Sequence, residues 1–270
     1  MSRIAETFQR LKQQRKTGLI AYLMVGFPSV EATLDLAPAI VEAGVDMVEL
    51  GVPFSDPLAD GATIQRASQV ALDNGVTLST CLDMCARLRE RLPLVPLVLM
   101  GYYNPILAYG LERFARVAQE VGADGVIVPD LPPEEAGPLH AACQSRGLDM
   151  IFFLAPTSTD ARIQAVSQIA SGFIYCVSLT GVTGARQDLP SELPAFISRV
   201  RRWAKAPLAV GFGVSTRDHV SAIGRVAEAV IVGSALLREV ELAGAGDRVS
   251  RAKAFVAQLK ERASDSVRSA

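Results

Sequence analysis

Two carboxylates, Glu49 and Asp60, stand near the two ends of a short segment that reads ELGVPFSDPLADG. Glu49 closes an apolar run, and a glutamate at the end of a buried strand has a perturbed pKa unless it finds partners. Pro53 and Pro57 restrict the backbone of the loop that follows. A stiff loop aims its side chains, and a carboxyl group with a shifted pKa suits general acid–base catalysis. The alternative is a solvated acidic turn.

Eight short apolar runs alternate with helical patterns along the 270 residues. The predicted strands are 19–25, 47–50, 97–100, 125–128, 150–154, 173–177, 208–210 and 228–232. Short runs rich in Val, Ile and Leu are typical of a parallel sheet buried on both faces. Eight such units predict an α/β fold, a closed (β/α)8 TIM barrel with an extra N-terminal helix, in one domain over residues 1–270. An open doubly wound sheet is the alternative, but the first strand–helix turn lacks G-x-G-x-x-G.

Apolar residues recur at helical spacing between these strands. The predicted helices are 3–15, 30–43, 62–72, 78–91, 111–121, 134–146, 160–170, 194–203, 217–223 and 234–262, the last interrupted near residues 244–246. The helix at 3–15 precedes the first strand, so we expect it to cap one end of the fold. Ser29 is predicted to cap the start of helix 30–43, and Gly44 to end it.

In such barrels the active site lies at the C-terminal ends of the strands. Polar groups offered there are Tyr22, Glu49, Asp60, Tyr102, Asn104, Asp130 and Tyr175. Glycine-rich sequences follow the last three strands, namely GVTG, GFGVS and GSA. Glycine lets backbone N–H groups approach an anion, and a helix that starts at Ser234 adds a favourable dipole. The pattern predicts a phosphate site, although single glycines end strands in many proteins.

The residues that a Schiff-base or a metal-dependent reaction needs are not found at the predicted strand ends. No lysine stands at a strand end, as a Schiff-base aldolase needs. The two histidines, His140 and His219, lie in helical patterns, where surface or packing roles are expected rather than metal binding. Cys81 and Cys85 are four apart on a predicted helix and could share a metal, but an apolar helix face is favoured. The reaction type that the sequence still favours is proton transfer by Glu49 and Asp60 beside the predicted phosphate site.

Composition limits the partners and the compartment. The formal net charge is −1, from 27 basic and 28 acidic residues, with no long block of like charge, so neither nucleic acid nor a membrane surface is expected. No apolar run reaches the roughly 18 residues of a membrane span. The first residues, MSRIAETFQRLKQQRK, do not resemble a signal peptide, and the cysteines form no C-x-x-C pair. We expect reduced thiols and a cytoplasmic protein.

The sequence resembles the tryptophan synthase alpha subunit family over nearly its whole length. The most specific match is ELGVPFSDPLADG, which continues into ATIQ. YNP, PDLPPEE, SLTGVTG, GFGVS and GSA match as well. The resemblance implies a lyase that cleaves indole-3-glycerol phosphate into indole and glyceraldehyde 3-phosphate by a reversed aldol step. It implies no cofactor and no metal in this chain, and a beta subunit partner that carries pyridoxal phosphate, in an alpha2beta2 heterotetramer for tryptophan biosynthesis.

The resemblance also assigns roles to residues. Glu49 would take the glycerol hydroxyl proton and help protonate the ring carbon, and Asp60 would pair with the indole N–H. The implied substrate pocket is Tyr22, Ile64, Met100, Ile127, Tyr175, Thr183 and Phe212, and the implied phosphate site is Gly184, Gly213, Gly233 and Ser234. Segment 179–189 would be a mobile lid in which Thr183 contacts Asp60. Family members often carry phenylalanine at position 22, and without the resemblance core packing explains Tyr22 and Tyr175 equally well.

Two segments after strands two and three predict the partner surface. The first, residues 53–60, is stiffened by proline. The second, residues 104–110, is predicted as a loop that exposes apolar Ile106, Leu107 and Tyr109 on the rim of the site. Two other functions stay open: a stand-alone lyase with the same chemistry, and a barrel that only binds a phosphorylated ligand. Two carboxylates in an apolar pocket argue against the pure binder.

Overall fold

Eight parallel strands close into a barrel in which each strand pairs with its neighbours in chain order and β8 returns to β1. A computed structural model describes residues 1–177, 189–211 and 213–260. The strands are β1 (Gly18–Met24), β2 (Met47–Gly51), β3 (Leu97–Met100), β4 (Gly125–Ile127), β5 (Asp149–Leu154), β6 (Ile174–Val177), β7 (Leu208–Gly211) and β8 (Ala229–Val232). The predicted (β/α)8 TIM barrel is confirmed.

Helices surround the barrel, and apart from a short helix at Tyr103–Tyr109 that was not predicted, their bounds follow the predicted ones within a few residues. They are α1 (Arg3–Gln14), α2 (Val30–Glu42), α3 (Ala62–Asp73), α4 (Leu78–Arg91), α5 (Tyr103–Tyr109), α6 (Leu111–Glu120), α7 (Gly137–Ser145), α8 (Asp160–Ile169), α9 (Leu193–Arg201), α10 (Arg217–Gly224), α11 (Ser234–Leu242) and α12 (Arg248–Lys260). None of the helices in these described ranges is long and apolar enough to cross a membrane.

The prediction of a loop at 104–110 was wrong, because α5 covers most of that segment. Pro105 lies in its first turn, where proline removes no hydrogen bond that the helix needs. The helix spans only 7 residues, too few to show a helical period in the sequence.

Two local predictions were right. The Ser29 side chain accepts a hydrogen bond from the N–H of Ala32 at the start of α2, and Gly44 follows its end with a φ of 118°.

The barrel interior holds one apolar cluster, and α1 closes it from the N-terminal end. Along each strand every second side chain points inward. Ile4, Phe8 and Leu11 of α1 are buried against these inward side chains, and the rings of Phe8 and Phe173 lie 6.0 Å apart. Burial of each such side chain contributes roughly 1.5–3 kcal/mol relative to exposure. The predicted capping role of the first helix is confirmed.

Three acidic residues fix the strand register at the N-terminal end of the barrel. Each stands before a strand and accepts a hydrogen bond from a backbone N–H of the preceding strand: Asp46 from Leu19 (3.0 Å), Asp124 from Leu97 (2.8 Å) and Glu228 from Leu208 (2.7 Å). Each is also paired with a cation: Lys260, Arg89 and Arg201 respectively. These networks satisfy strand ends that would otherwise leave donors unpaired. Stability contacts thus gather at the end opposite Glu49.

The four cysteines, Cys81, Cys85, Cys143 and Cys176, are buried and form no disulfide. Cys81 and Cys85 lie on the core-facing side of α4, among the apolar residues that pack on the strands. Their burial raises the pKa of the Cys85 thiol to about 12. These side chains act as small apolar residues, as the helical spacing favoured.

Candidate active site

Glu49 lies on the inner face of β2 and is fully buried. Met47, two residues earlier, belongs to the interior cluster, and the period of a strand turns Glu49 in the same direction. Neither of its carboxyl oxygens has a hydrogen-bond partner among the described residues. Burial raises the pKa of Glu49 to about 8, because a charged carboxylate loses its hydration there. At neutral pH the side chain therefore holds a proton that it can give away.

Asp60 ends the loop after β2 and is only 6% exposed. Its Oδ2 accepts a hydrogen bond of 3.0 Å from the Tyr102 hydroxyl. Burial raises the pKa of Asp60 to about 6, and the bond from Tyr102 opposes that rise. Asp60 is therefore ionised at neutral pH while Glu49 is not. Two neighbouring carboxyl groups held in different protonation states can divide acid and charge-stabilising roles between them.

Tyr22 and Tyr175 stand close to both carboxyl groups. Burial first, and the nearby Glu49 and Asp60 second, raise the pKa of each phenol. The Tyr22 hydroxyl also contacts the sulfur of Met24 at 3.9 Å. Both rings are at least 94% buried, so packing and a place beside the carboxyl groups are combined in the same side chains.

Glycines on the neighbouring strands make room for these two rings. A Cβ at Gly51 would overlap the Tyr22 hydroxyl, and a Cβ at Gly211 would overlap the Tyr175 hydroxyl. Gly51 is paired with Met24 of β1, and Gly211 with Val177 of β6. Sequence reasoning did not give Gly51 a role, since a glycine inside an apolar strand shows no partner. The structure shows that these two positions can carry no side chain, because the tyrosine rings from the neighbouring strands occupy that space.

The wall beside Tyr175 is apolar. Ile127 is fully buried in the interior cluster, and Met100 is partly buried against it, which brings two residues of the predicted pocket together. Phe153 of β5 was missed: its ring centroid lies 4.5 Å from that of Tyr175. The inward position of Ile151 two residues earlier would have identified it. Ile64 lies in the first turn of α3 and packs instead against the larger apolar cluster between the strands and the surrounding helices, so its place in the pocket stays a prediction.

Part of the predicted phosphate site lies in the described residues. Gly213 has a φ of 78°, a conformation that favours glycine. Gly233 directly precedes α11, and Ser234 is its exposed first residue, so the free N–H groups of a helix start are present. A Cβ at Gly233 would lie 3.3 Å from the Cβ of Tyr22, which places this turn beside the pocket. Thr183, Gly184, Phe212 and most of segment 179–189 lie outside the described residues.

Both histidines lie in helices, as the sequence pattern predicted. His140 of α7 packs near Phe152, with ring centroids 6.4 Å apart, and a ring nitrogen lies 3.2 Å from the carbonyl oxygen of Ile169. His219 is buried in α10, where its Nδ1 accepts a bond from the N–H of Ser215. Within the described ranges, no three or more His, Cys, Asp or Glu side chains form a group that could hold a metal ion.

The closed barrel, with Glu49 and Asp60 buried beside apolar and aromatic side chains at the C-terminal ends of its strands, has the architecture of a (β/α)8 enzyme. The family model described as "Tryptophan synthase alpha chain" matches residues 8–264. A tryptophan synthase alpha chain from Roseiflexus castenholzii is 59% identical over 260 residues, which cover 96% of this chain and 100% of that one. The chain therefore belongs to the tryptophan synthase alpha chain family.

Solved structures agree in fold and in length. The tryptophan synthase alpha chain from Legionella pneumophila superposes with a TM-score of 0.91 at 36% identity, and the match covers 100% of both chains. A chain from the Mycobacterium tuberculosis tryptophan synthase, in its aminoacrylate-bound form, gives a TM-score of 0.85 at 35% identity over 96% of this chain and 98% of that chain. Sequence relatives and solved structures thus agree on the fold and on the family.

Proposed function

We propose that this chain cleaves indole-3-glycerol phosphate into indole and glyceraldehyde 3-phosphate, with Glu49 as the proton carrier and Asp60 as the charge stabiliser. The observation that carries this proposal is the contrast between the two groups. Glu49 is buried, unpartnered and raised in pKa to about 8, whereas Asp60 is held ionised above about pH 6. A reversed aldol step on an indole needs one proton donor and one anion near the ring.

In the proposed reaction the Glu49 carboxyl group gives its proton to the ring carbon that bears the glycerol chain. The ring becomes cationic, and Asp60 stabilises it by accepting a hydrogen bond from the indole N–H. The new Glu49 carboxylate then takes the proton of the adjacent glycerol hydroxyl. That carbon becomes the aldehyde carbon, the carbon–carbon bond breaks, and its electron pair returns to the ring. Neutral indole leaves, and Glu49 is protonated again.

The rest of the pocket would hold the two ends of the substrate. Tyr22, Met100, Ile127 and Tyr175, with Phe153, offer the apolar and aromatic walls that suit an indole ring. Ile64, Thr183 and Phe212 are proposed for the same pocket from the family pattern. Gly213, Gly233 and Ser234, with Gly184, would hold the phosphate through backbone N–H groups and the start of α11. Segment 179–189 would close over the bound substrate and exclude water.

We further propose a beta subunit as the partner, in an alpha2beta2 assembly, with no cofactor in this chain and pyridoxal phosphate in the partner. Two exposed leucines on the active-site rim support a docking surface: Leu58 in the loop after β2 is 90% exposed, and Leu107 of α5 is 50% exposed. Ile106, expected on that surface, is instead 2% exposed and packs in the core, because it lies on the inner face of α5. A cytoplasmic location accords with this role.

The decisive experiment measures release of indole from indole-3-glycerol phosphate, first by the chain alone and then with a beta subunit added. Slow release by the lone chain that rises when the partner is added supports the proposal in full. Full activity of the lone chain, with no association at micromolar concentrations, would support the stand-alone lyase instead. Binding of substrate without release, in a chain whose Glu49→Gln variant behaves identically, would leave only a phosphate-binding barrel.

A further inference from the structure

Tyr102 contacts the loop after β2 at its end, next to the carboxyl group of Asp60. The Tyr102 hydroxyl donates a hydrogen bond to Oδ2 of Asp60 and accepts one from the backbone N–H of Ala59, both at 3.0 Å. Tyr102 is 5% exposed and follows β3, so it is held by the barrel itself and not by the loop. One phenol oxygen thus fixes both the backbone and the side chain at the loop's end.

The same ring also contacts the start of the loop. The ring of Phe54 stacks on that of Tyr102, with centroids 5.1 Å apart and an angle of 27° between the planes. Phe54 is in turn fixed by the buried hydroxyl of Ser68, which accepts a bond from its N–H (2.9 Å) and donates one to its carbonyl (3.0 Å). The loop is therefore held at both ends on Tyr102, while most of its middle is exposed.

We propose that Tyr102 is a positioning residue for the cleavage reaction: its hydroxyl occupies Oδ2 of Asp60 and leaves Oδ1 as the oxygen that faces the indole N–H. The inference rests on the proposed function and adds to it which oxygen is used and what sets its direction. Oδ1 accepts no hydrogen bond from the described residues, whereas Oδ2 is already paired. The hydrogen bond from Tyr102, a residue held by the barrel, fixes the direction of the carboxylate and so the direction of its free oxygen.

The hydrogen bond from Tyr102 also keeps Asp60 ionised. The titratable groups that interact with Asp60 are Tyr22 from β1, Tyr175 from β6 and Tyr102 after β3, and Glu49 of β2 lies near the first two of these. None of these groups is a cation. Burial raises the pKa of Asp60, and Tyr102 is the group whose hydrogen bond lowers it again. Without this bond the carboxyl group would hold its proton to a higher pH.

The test is Tyr102→Phe, which keeps the ring and its stacking on Phe54 and removes both hydrogen bonds. We expect kcat to fall by about 10- to 100-fold, the range for losing a hydrogen bond to a charged group, with a much smaller change in KM. The acid flank of kcat/KM should move to higher pH. The substrate's own phosphate also titrates near pH 6, but a variant of the enzyme cannot shift that ionisation.

Tyr103→Phe is the matched control. Tyr103 is the next residue, it is partly buried, and its hydroxyl makes no hydrogen bond to the described residues. The kcat of Tyr103→Phe should stay within about twofold of the parent's. The acid flank of its kcat/KM should match that of the parent within error. An equal loss in both variants would mean that any change at this turn disturbs the site, and it would overturn the specific role of Tyr102.

An NMR titration of the Asp60 carboxyl group tests the same idea without substrate. In Tyr102→Phe its pKa should rise above that of the parent. An unchanged Asp60 pKa together with an unchanged kcat would overturn the inference while leaving the proposed function standing. If the parent itself releases no indole but the Asp60 pKa still rises in Tyr102→Phe, the proposed function fails and the positioning contact survives.

Discussion

The Tyr22 hydroxyl lies where any side chain at Gly51 would have to stand. Gly51→Ala therefore forces the ring of Tyr22 out of its place between β1 and β2, and overpacking of this kind costs about 1–3 kcal/mol. We expect a lower free energy of unfolding in denaturant and a loss of indole release. Adding Tyr22→Leu should recover part of the stability, because the ring that collides is gone. Gly137→Ala, where a Cβ meets nothing within 4 Å, serves as the control and should be nearly neutral.

Replacement of Glu49 should remove the proton carrier and leave the shape of the pocket. Glu49→Gln is expected to lower kcat by at least about 100-fold, the lower range for loss of a general acid–base group. Asp60→Asn should also cripple cleavage while changing phosphate affinity much less. Steady-state kinetics and glycerol phosphate binding measure the two effects. Near-normal turnover by a folded Glu49→Gln protein would contradict the assigned role.

The pH dependence of kcat/KM should be bell-shaped. Below about pH 6 Asp60 gains a proton and can no longer stabilise the cationic ring, and above about pH 8 Glu49 loses the proton that it must give. The alkaline flank should match the value of Glu49 within about one unit. The substrate's phosphate also titrates near the acid flank, so that flank is assigned to Asp60 by its shift in Tyr102→Phe. A profile that stays flat from about pH 5 to about pH 9 would exclude this division of roles.

Glu49 should also make folding pH-dependent. Its folded pKa of about 8 lies above the ordinary value of 4.5, so its favourable contribution is complete below about pH 4.5 and is lost as pH rises through about 8. Glu49→Gln carries no charge at any pH. In urea unfolding, the free energy of unfolding of Glu49→Gln should therefore rise relative to that of the parent as pH rises. At about 1.4 kcal/mol per unit of pKa shift, the difference should reach a few kcal/mol at about pH 9. Glu90→Gln, an exposed change on α4, should show no such trend; an equal trend in both would refute the assignment.

Leu58 and Leu94, the most exposed leucines in the part of the chain that the structure describes, give a paired test of the partner surface. Leu58 lies in the loop that follows β2, at the active-site end, and Leu94 lies before β3, at the opposite end of the barrel. Leu58→Asp should weaken association with a beta subunit by at least about tenfold, because it puts a charge into an apolar contact. Leu94→Asp should leave it unchanged. Calorimetry with the same beta subunit measures both, and equal weakening would place the interface elsewhere.

The sequence alone determined the barrel, the strand order and the two carboxylates. Short apolar strands separated by helical periods leave few other folds for a chain with eight such units. Two features are local patterns that can be recognised in the sequence: the position of Glu49 at the end of a strand, and the proline-rich loop up to Asp60. The capping role of α1 followed for the same reason, since it has an apolar face and no strand before it.

Only the tertiary structure decided how those carboxylates are tuned. Tyr102 acts on Asp60 across 42 positions of sequence, and Gly51 and Gly211 matter because rings from neighbouring strands cross them. The burial of Ile106 and the inward position of Phe153 depend in the same way on packing between elements. A pKa depends on how much water is removed from a group and on what replaces it. Barrel closure sets both, and it brings together residues that no local pattern connects.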